Sequence, residues 1–280
     1  MSYRSVLVLL DTGPACRVRL QLAVRLVRDL DCHLVGLAPT GVIDIPTVSG
    51  ALPLLTDRAA LAWDQLRDHA EEVAQRFRDE CRCAGVRSFE TVIDEEDHAT
   101  SIIRHARCSD VIMVSQAHPE VPGQQQERAM VEQVVVRSAR PTLVIPRSPR
   151  FMHTGTNIMV AWDDSREAAR AVADALPLLQ RARSVQVVSW DQPGGVSNAV
   201  LHARADSVQR WLKRHAVDTT AHVLQRPADL ADAMLVHAAG MEADLVVMGA
   251  YGRPRWAERM LGGATHGMLQ SMTVPVLMSH

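Results

Sequence analysis

Residues 110–118 read DVIMVSQAH, and residues 244–252 read DLVVMGAYG. Each segment is an aspartate, four apolar residues in a row, and then a turn. An unbroken apolar run of that length suits a strand buried on both faces, as in a parallel sheet. A second pair of strands follows at the same interval. RPTLVIP ends at Pro146 and VPVLMSH ends the sequence, with 31 residues from Asp110 to Pro141 and 31 from Asp244 to Pro275. The openings correspond as well: SVLVLLD runs to Asp11 and NIMVAWD to Asp163. The sequence therefore reads as an internal duplication. From Asp11 to Asp110 is 99 residues, and from Asp163 to Asp244 is 81, so the first copy carries 18 more. PTGVIDIPTVSGALPLLT, Pro39–Thr56, has that length and the Pro/Gly content of an irregular excursion.

In the second copy, short apolar strands alternate with segments of helical spacing. Ala168, Ala171, Val172, Ala175 and Leu179 recur at three and four within Ser165–Gln180. Helices are also expected over Ser197–His215, Ala228–Ala239 and Ala264–Ser271. Five strands and four helices in alternation imply an α/β fold of two doubly wound domains. Each is expected to be a five-stranded parallel sheet with helices on both faces. The junction is RSPRFMHTGT at 147–156, which places the domains at 1–147 and 154–280.

Composition excludes several functions. With 47% hydrophobic and 22% charged residues, the chain has the make-up of a soluble globular protein. A net charge of −2 from 30 basic and 32 acidic residues gives no footprint for nucleic acid, and 4% aromatics disfavours base stacking. Lys213 is the one lysine and lies in WLKRH, away from glycine, which removes a Walker-type phosphate loop. No apolar run reaches the roughly 18 residues of a membrane span. MSYRSVLVLLDTG reads as a first core strand and not as a signal peptide. Five cysteines, all in the first half, suit reduced thiols and a cytoplasmic location.

Ligands of doubly wound sheets bind beyond the carboxyl ends of the strands, where the strand order reverses. In the second copy those ends are Asp163-Asp164-Ser165 and Gly249-Ala250-Tyr251-Gly252. Ser165 or Asp164 suits a helix N-cap, whereas Asp163 has no evident structural task. MGAYGRPRWAERMLGGATHG gives Gly249-x-x-Gly252, then nine residues, then Gly262-Gly263. Glycines permit positive φ and close backbone approach. The second pair leads into a helix whose free N–H groups favour an anion. Thr265 offers a hydroxyl and Arg253 a charge, while His266 on the first helical turn is a solvated residue or a catalytic outlier.

On these residues the whole chain resembles a tandem universal stress protein, with the adenine-nucleotide alpha-hydrolase-like fold. Nucleotide-binding members of that family carry G-x2-G-x9-G-[ST] after the fourth strand and an aspartate after the first. Gly249, Gly252, Gly262 and Asp163 fit the pattern; Gly263 stands where Ser or Thr is usual. The resemblance implies ATP, with or without Mg2+, or a related adenine nucleotide. Asp163 would face the adenine or ribose end, and Val188-Ser189 would line the base. Gly252, Arg253, Gly262, Gly263 and Ala264 would surround the phosphates. Gln225-Arg226-Pro227 replaces the family's G-x-P.

The same alignment sets Ser115, His118 and Arg128 in the first copy opposite Gly249, Gly252 and Gly262. With those glycines gone, the first domain is expected to be degenerate and empty of nucleotide, its phosphate space filled by side chains. The implied function is a regulatory or stress-protective nucleotide-binding protein. The alternatives are a nucleotide-free protein–protein interaction scaffold and a slow ATPase. The two halves are expected to pack as an intramolecular pseudo-dimer through their closing strands, with association of whole chains into homodimers a further expectation.

Overall fold

A computed structural model describes residues 2–41, 52–117, 124–148, 153–191, 196–225, 227–252 and 263–280. The first half contains β1 (Ser5–Leu9), α1 (Cys16–Leu30), β2 (His33–Pro39), α2 (Leu52–Cys83), β3 (Phe89–Asp94), α3 (His98–Ala106), β4 (Val111–Ser115), α4 (Gln124–Arg137) and β5 (Thr142–Ile145). The second half contains β6 (Asn157–Ala161), α5 (Arg166–Leu179), β7 (Ser184–Trp190), α6 (Asn198–Arg214), β8 (Thr220–Leu224), α7 (Leu230–Gly240), β9 (Leu245–Gly249), α8 (Ala264–Ser271) and β10 (Val276–Ser279).

Both halves wind the same way. The strand order is β3-β2-β1-β4-β5 in the first and β8-β7-β6-β9-β10 in the second, with parallel pairing throughout each. The order reverses between β1 and β4, and between β6 and β9. The two sheets are continuous. β5 and β10 pair antiparallel, with Leu143 opposite Leu277 and Val144 opposite Val276, making one sheet of ten strands.

Strand alternation divides the core between the two faces. Val6, Val8 and Leu10 face α1 and α2, while Leu7 and Leu9 face α3 and α4. In the second half, Ile158 and Val160 pack with α5 and α6, and Met159 and Ala161 with α7 and α8. Among the described residues no helix is long and apolar enough to cross a membrane.

The aspartates that begin the two repeated segments have the same task. Asp110 Oδ2 accepts hydrogen bonds from the backbone N–H groups of Arg4 (2.6 Å) and Ser5 (3.0 Å) at the start of β1. Asp244, 1% exposed, accepts from Gly155, Thr156 and Asn157 at the start of β6, each within 3.0 Å. Each carboxylate thus pairs with the N–H donors at the head of the neighbouring strand.

One expectation about the first half changes. Leu52–Thr56 belong to α2 and are not irregular chain. Much of the extra length lies in that helix, which has 32 residues against 17 in α6. Residues 42–51 of the excursion lie outside the described residues.

Further contacts cross between the halves. Tyr3 Oη donates to the Asp174 carbonyl at 2.7 Å, and Gln116 Nε2 donates to the carbonyls of Leu269 (3.1 Å) and Gln270 (2.9 Å). Leu143 and Leu277 are both fully buried at the seam. Leu143→Ala or Leu277→Ala is therefore expected to cost about 2–5 kcal/mol, measured by urea unfolding. Leu61→Ala on the exposed side of α2, 64% accessible, is the control and should cost under about 0.5 kcal/mol.

Candidate functional site

The crevice of the second half opens where β6 and β9 end side by side. After β6 the chain turns sharply through Asp164, at φ +64°. Asp163 Oδ1 holds that turn, accepting from the Ser165 N–H (3.0 Å) and from Ser165 Oγ (2.5 Å). Ser165 Oγ in turn accepts from the Ala168 N–H at 3.1 Å and so caps α5. The Asp163 carboxylate therefore has a structural task after all, closing an Asx turn on the capping serine. Asp11 does the same in the first half, accepting from the Gly13 N–H at 2.8 Å.

Gly249 and Gly252 are glycines for a different reason from the one their spacing suggests. Neither has positive φ; the left-handed residue of this turn is Tyr251, at +56°. A Cβ on Gly249 would lie 2.5 Å from the Ala168 nitrogen and 2.8 Å from Glu167 Cβ. The end of β9 runs so close to the first turn of α5 that a side chain has no room. A Cβ on Gly252 would sit 3.1 Å from Glu167 Oε2, the mobile end of a side chain.

Gly263 caps α8 and, having no side chain, makes no capping hydrogen bond to the first N–H groups of that helix. Ala264 is its first residue. Thr265, expected to offer a hydroxyl to a ligand, is 2% exposed, and its Oγ1 accepts from the Tyr251 N–H at 3.2 Å. It ties the turn after β9 to α8. Ser189 is also buried and donates to the Trp162 carbonyl at 2.8 Å. Arg253 and Gly262 lie outside the described residues, as does His118.

Asp163, Asp164, Ser189, Trp190, Arg204 and Trp162 line a cavity of about 200 Å³ beside the ends of β6 and β7. The buried Trp162 indole N–H has no hydrogen-bond partner among the described residues. Trp162 follows β6 and belongs to no sequence motif. Nor does Glu167, whose side chain is only 4% exposed and pairs with Arg166. Burial works to raise the Glu167 pKa, but the hydrogen bond and charge of Arg166 outweigh it and hold the carboxylate below its usual range.

His266 and Arg128 meet across the halves. Arg128 Nη2 lies 2.6 Å from His266 Nε2, and His266 Nδ1 lies 3.6 Å from Glu132 on α4. Glu132 and His266 occupy equivalent positions in the two copies, and this contact brings α4 and α8 together. His266 is a contact between the halves and not a free solvated residue. Arg128 is engaged there too, and is not among the residues lining the first crevice.

That crevice is open. It forms a cavity of about 690 Å³ beyond the ends of β1 and β4. Two size changes separate the copies at this point. The second copy sets Glu167 against Gly249; the first sets Ala15 against Ser115. Arg19 of the first copy, where the second has Ala171, is 1% exposed and bridges the two strand ends. It donates to the Leu9 carbonyl (2.8 Å), Ser115 Oγ (2.5 Å) and Asp11 Oδ2 (2.6 Å).

Two outcomes test this geometry. Gly249→Ala should destabilise the protein by about 1–3 kcal/mol through overpacking, and Gly252→Ala by less than about 1 kcal/mol, both read by thermal unfolding. The depressed pKa makes Glu167 contribute stability above its unfolded value of about 4.3, and lose it as pH falls through the folded value. Glu167→Gln should therefore flatten the fall in melting temperature on the acid side.

Comparison with known proteins extends the resemblance. Residues 155–280 match the model of the universal stress protein family. A search of curated proteins finds no match. A universal stress protein from Archaeoglobus fulgidus DSM 4304 has a similar structure at 15% identity, covering 98% of this chain and 95% of that one, with a TM-score of 0.69. A protein of unknown function from Pseudomonas aeruginosa PAO1 aligns at 17% identity over 99% of this chain and 92% of its own, with a TM-score of 0.59. At these identities the likeness is one of fold, and it spans both halves. The chain thus contains one universal stress protein domain by its family match, residues 155–280, and carries the same fold through its first half.

Proposed function

We propose that the second half, 154–280, binds one adenine nucleotide, ATP with or without Mg2+, and serves as the regulatory or stress-protective domain of a cytoplasmic protein. The first half, 1–147, acts as its degenerate partner in an intramolecular pseudo-dimer. The observation that carries this reading is the start of α8, where Gly263 makes no side-chain cap hydrogen bond, beside the end of β9 at the reversal of strand order. Backbone N–H groups and the helix dipole favour a phosphate there. The family match over the same residues adds to it.

In this reading Gly249, Gly252, Gly263 and Ala264 flank the phosphates, together with Arg253 and Gly262. Thr265 braces the turn through the Tyr251 N–H. Asp163 and Ser189 stand at the ribose and base end, where the Trp162 N–H, without a partner among the described residues, supplies a donor. The Glu167 carboxylate would repel phosphate, and its pairing with Arg166 offsets that charge. A nucleotide-free scaffold is the second reading. It is favoured by that same carboxylate beside Gly252, and by the close packing that already accounts for Gly249.

Calorimetric titration of the whole chain with ATP, with and without Mg2+, is the test. The expected result is about one nucleotide per chain, lost in Gly252→Glu, where a second carboxylate would stand beside Glu167, with the fold intact by circular dichroism. Two nucleotides per chain, or unchanged affinity in Gly252→Glu, would refute the assignment. Absence of binding by the wild type favours the scaffold.

A further inference from the structure

The first-half crevice has lost its phosphate-loop glycines, and yet at about 690 Å³ it falls within the size range of small-molecule sites. Its floor is the buried Arg19. A guanidinium has five N–H groups. Three donate to Leu9, Ser115 and Asp11, and the guanidinium also hydrogen-bonds the Cys16 thiol. A cation buried to 1% exposure at the bottom of a cavity, with one N–H beyond these partners, can take an acceptor from outside.

The charge around it narrows the chemistry. Among the described lining residues, Arg19 and Arg147 are set against Asp11, Asp97 and Glu127, one net negative charge. Asp11 already takes the charge of Arg19 at 2.6 Å. A triphosphate would add several negative charges to a wall that is already negative. A single carboxylate can accept the remaining N–H in a charge-assisted hydrogen bond. Burial holds the His98 imidazole below its usual pKa, so it stands neutral on the same wall as a further hydrogen-bonding group. Gln133 adds an amide, and Met130 on α4 supplies an apolar side.

We infer that the first half holds a second ligand site, for a compact monocarboxylate of net charge −1 or 0, amino acids included, and not for a nucleotide. The site is independent of nucleotide binding in the second half.

The experiment uses the full chain. The probes are the twenty amino acids and short hydroxy- and keto-acids such as lactate and pyruvate, at millimolar concentration, screened by thermal shift and then by calorimetry. At least one probe should bind with one site per chain. Met130→Trp, which fills the cavity from α4, should weaken it at least about tenfold while leaving the ATP titration unchanged. Removing Arg19 alone strands the Asp11 carboxylate, so the second variant is Asp11→Asn/Arg19→Gln, which keeps the pair neutral and should also abolish binding. Gly252→Glu in the other half should leave the carboxylate affinity as it was. The proposal is overturned if no probe binds, if binding survives Met130→Trp, or if Met130→Trp removes a bound ATP.

Discussion

The antiparallel ladder between β5 and β10 is the contact on which the architecture rests. A doubly wound sheet that ends in its fifth strand leaves a row of backbone donors and acceptors along that edge. Left bare, such an edge invites pairing with any passing strand. Here the two copies close each other's edge, and the seam is lined by apolar residues with no exposure, including Leu143, Val144, Val276 and Leu277. α4 and α8 are carried to the same seam, and this is why Arg128 meets His266 and why Gln116 reaches the carbonyls of Leu269 and Gln270. The helix that begins at Gly263 is therefore held from both halves.

The two crevices begin from the same backbone and diverge through a few side chains. Each has an aspartate closing an Asx turn after its first strand. In the second, β9 runs tight against α5, so Gly249 must lack a side chain and Glu167 lies across the turn. In the first, Ala15 frees that space, Ser115 can carry a hydroxyl, and Arg19 reaches from α1 to bind both strand ends. One arrangement presents backbone amides at a helix start. The other presents a buried guanidinium in a cavity more than three times the volume of the one beside β6 and β7. The duplicated fold thus offers two different chemistries at equivalent places.

Several residues were visible in the sequence for reasons that differ from their role in the structure. The spacing of Gly249 and Gly252 marks them as special, but positive φ belongs to Tyr251 between them, and the glycines answer to packing against α5. Thr265 follows the glycine pair as a ready donor, yet its oxygen is spent on the Tyr251 N–H. Arg128 aligns with a loop glycine, which suggests a side chain filling the crevice, and it is directed at His266 across the seam. Glu167 and Arg19 carry no motif at all. Their importance comes from burial beside a turn and beneath a strand end, which no local pattern of residues encodes.

What the sequence determined by itself was the order of elements and the place of the crevices. Unbroken apolar runs such as VIMV and LVVM can be satisfied only inside a sheet covered on both faces, and helical spacing between them dictates the crossovers. The repeated intervals locate the equivalent strand ends, because the period of a duplicated chain survives substitution. Only the tertiary structure decided which side chains close those ends and which leave them open. That outcome depends on close approaches between residues far apart in the chain: Gly249 against Ala168, Arg19 against Ser115, and Arg128 against His266. Such approaches are set by how helices seat on the sheet, and the seating follows from the packing of the whole core.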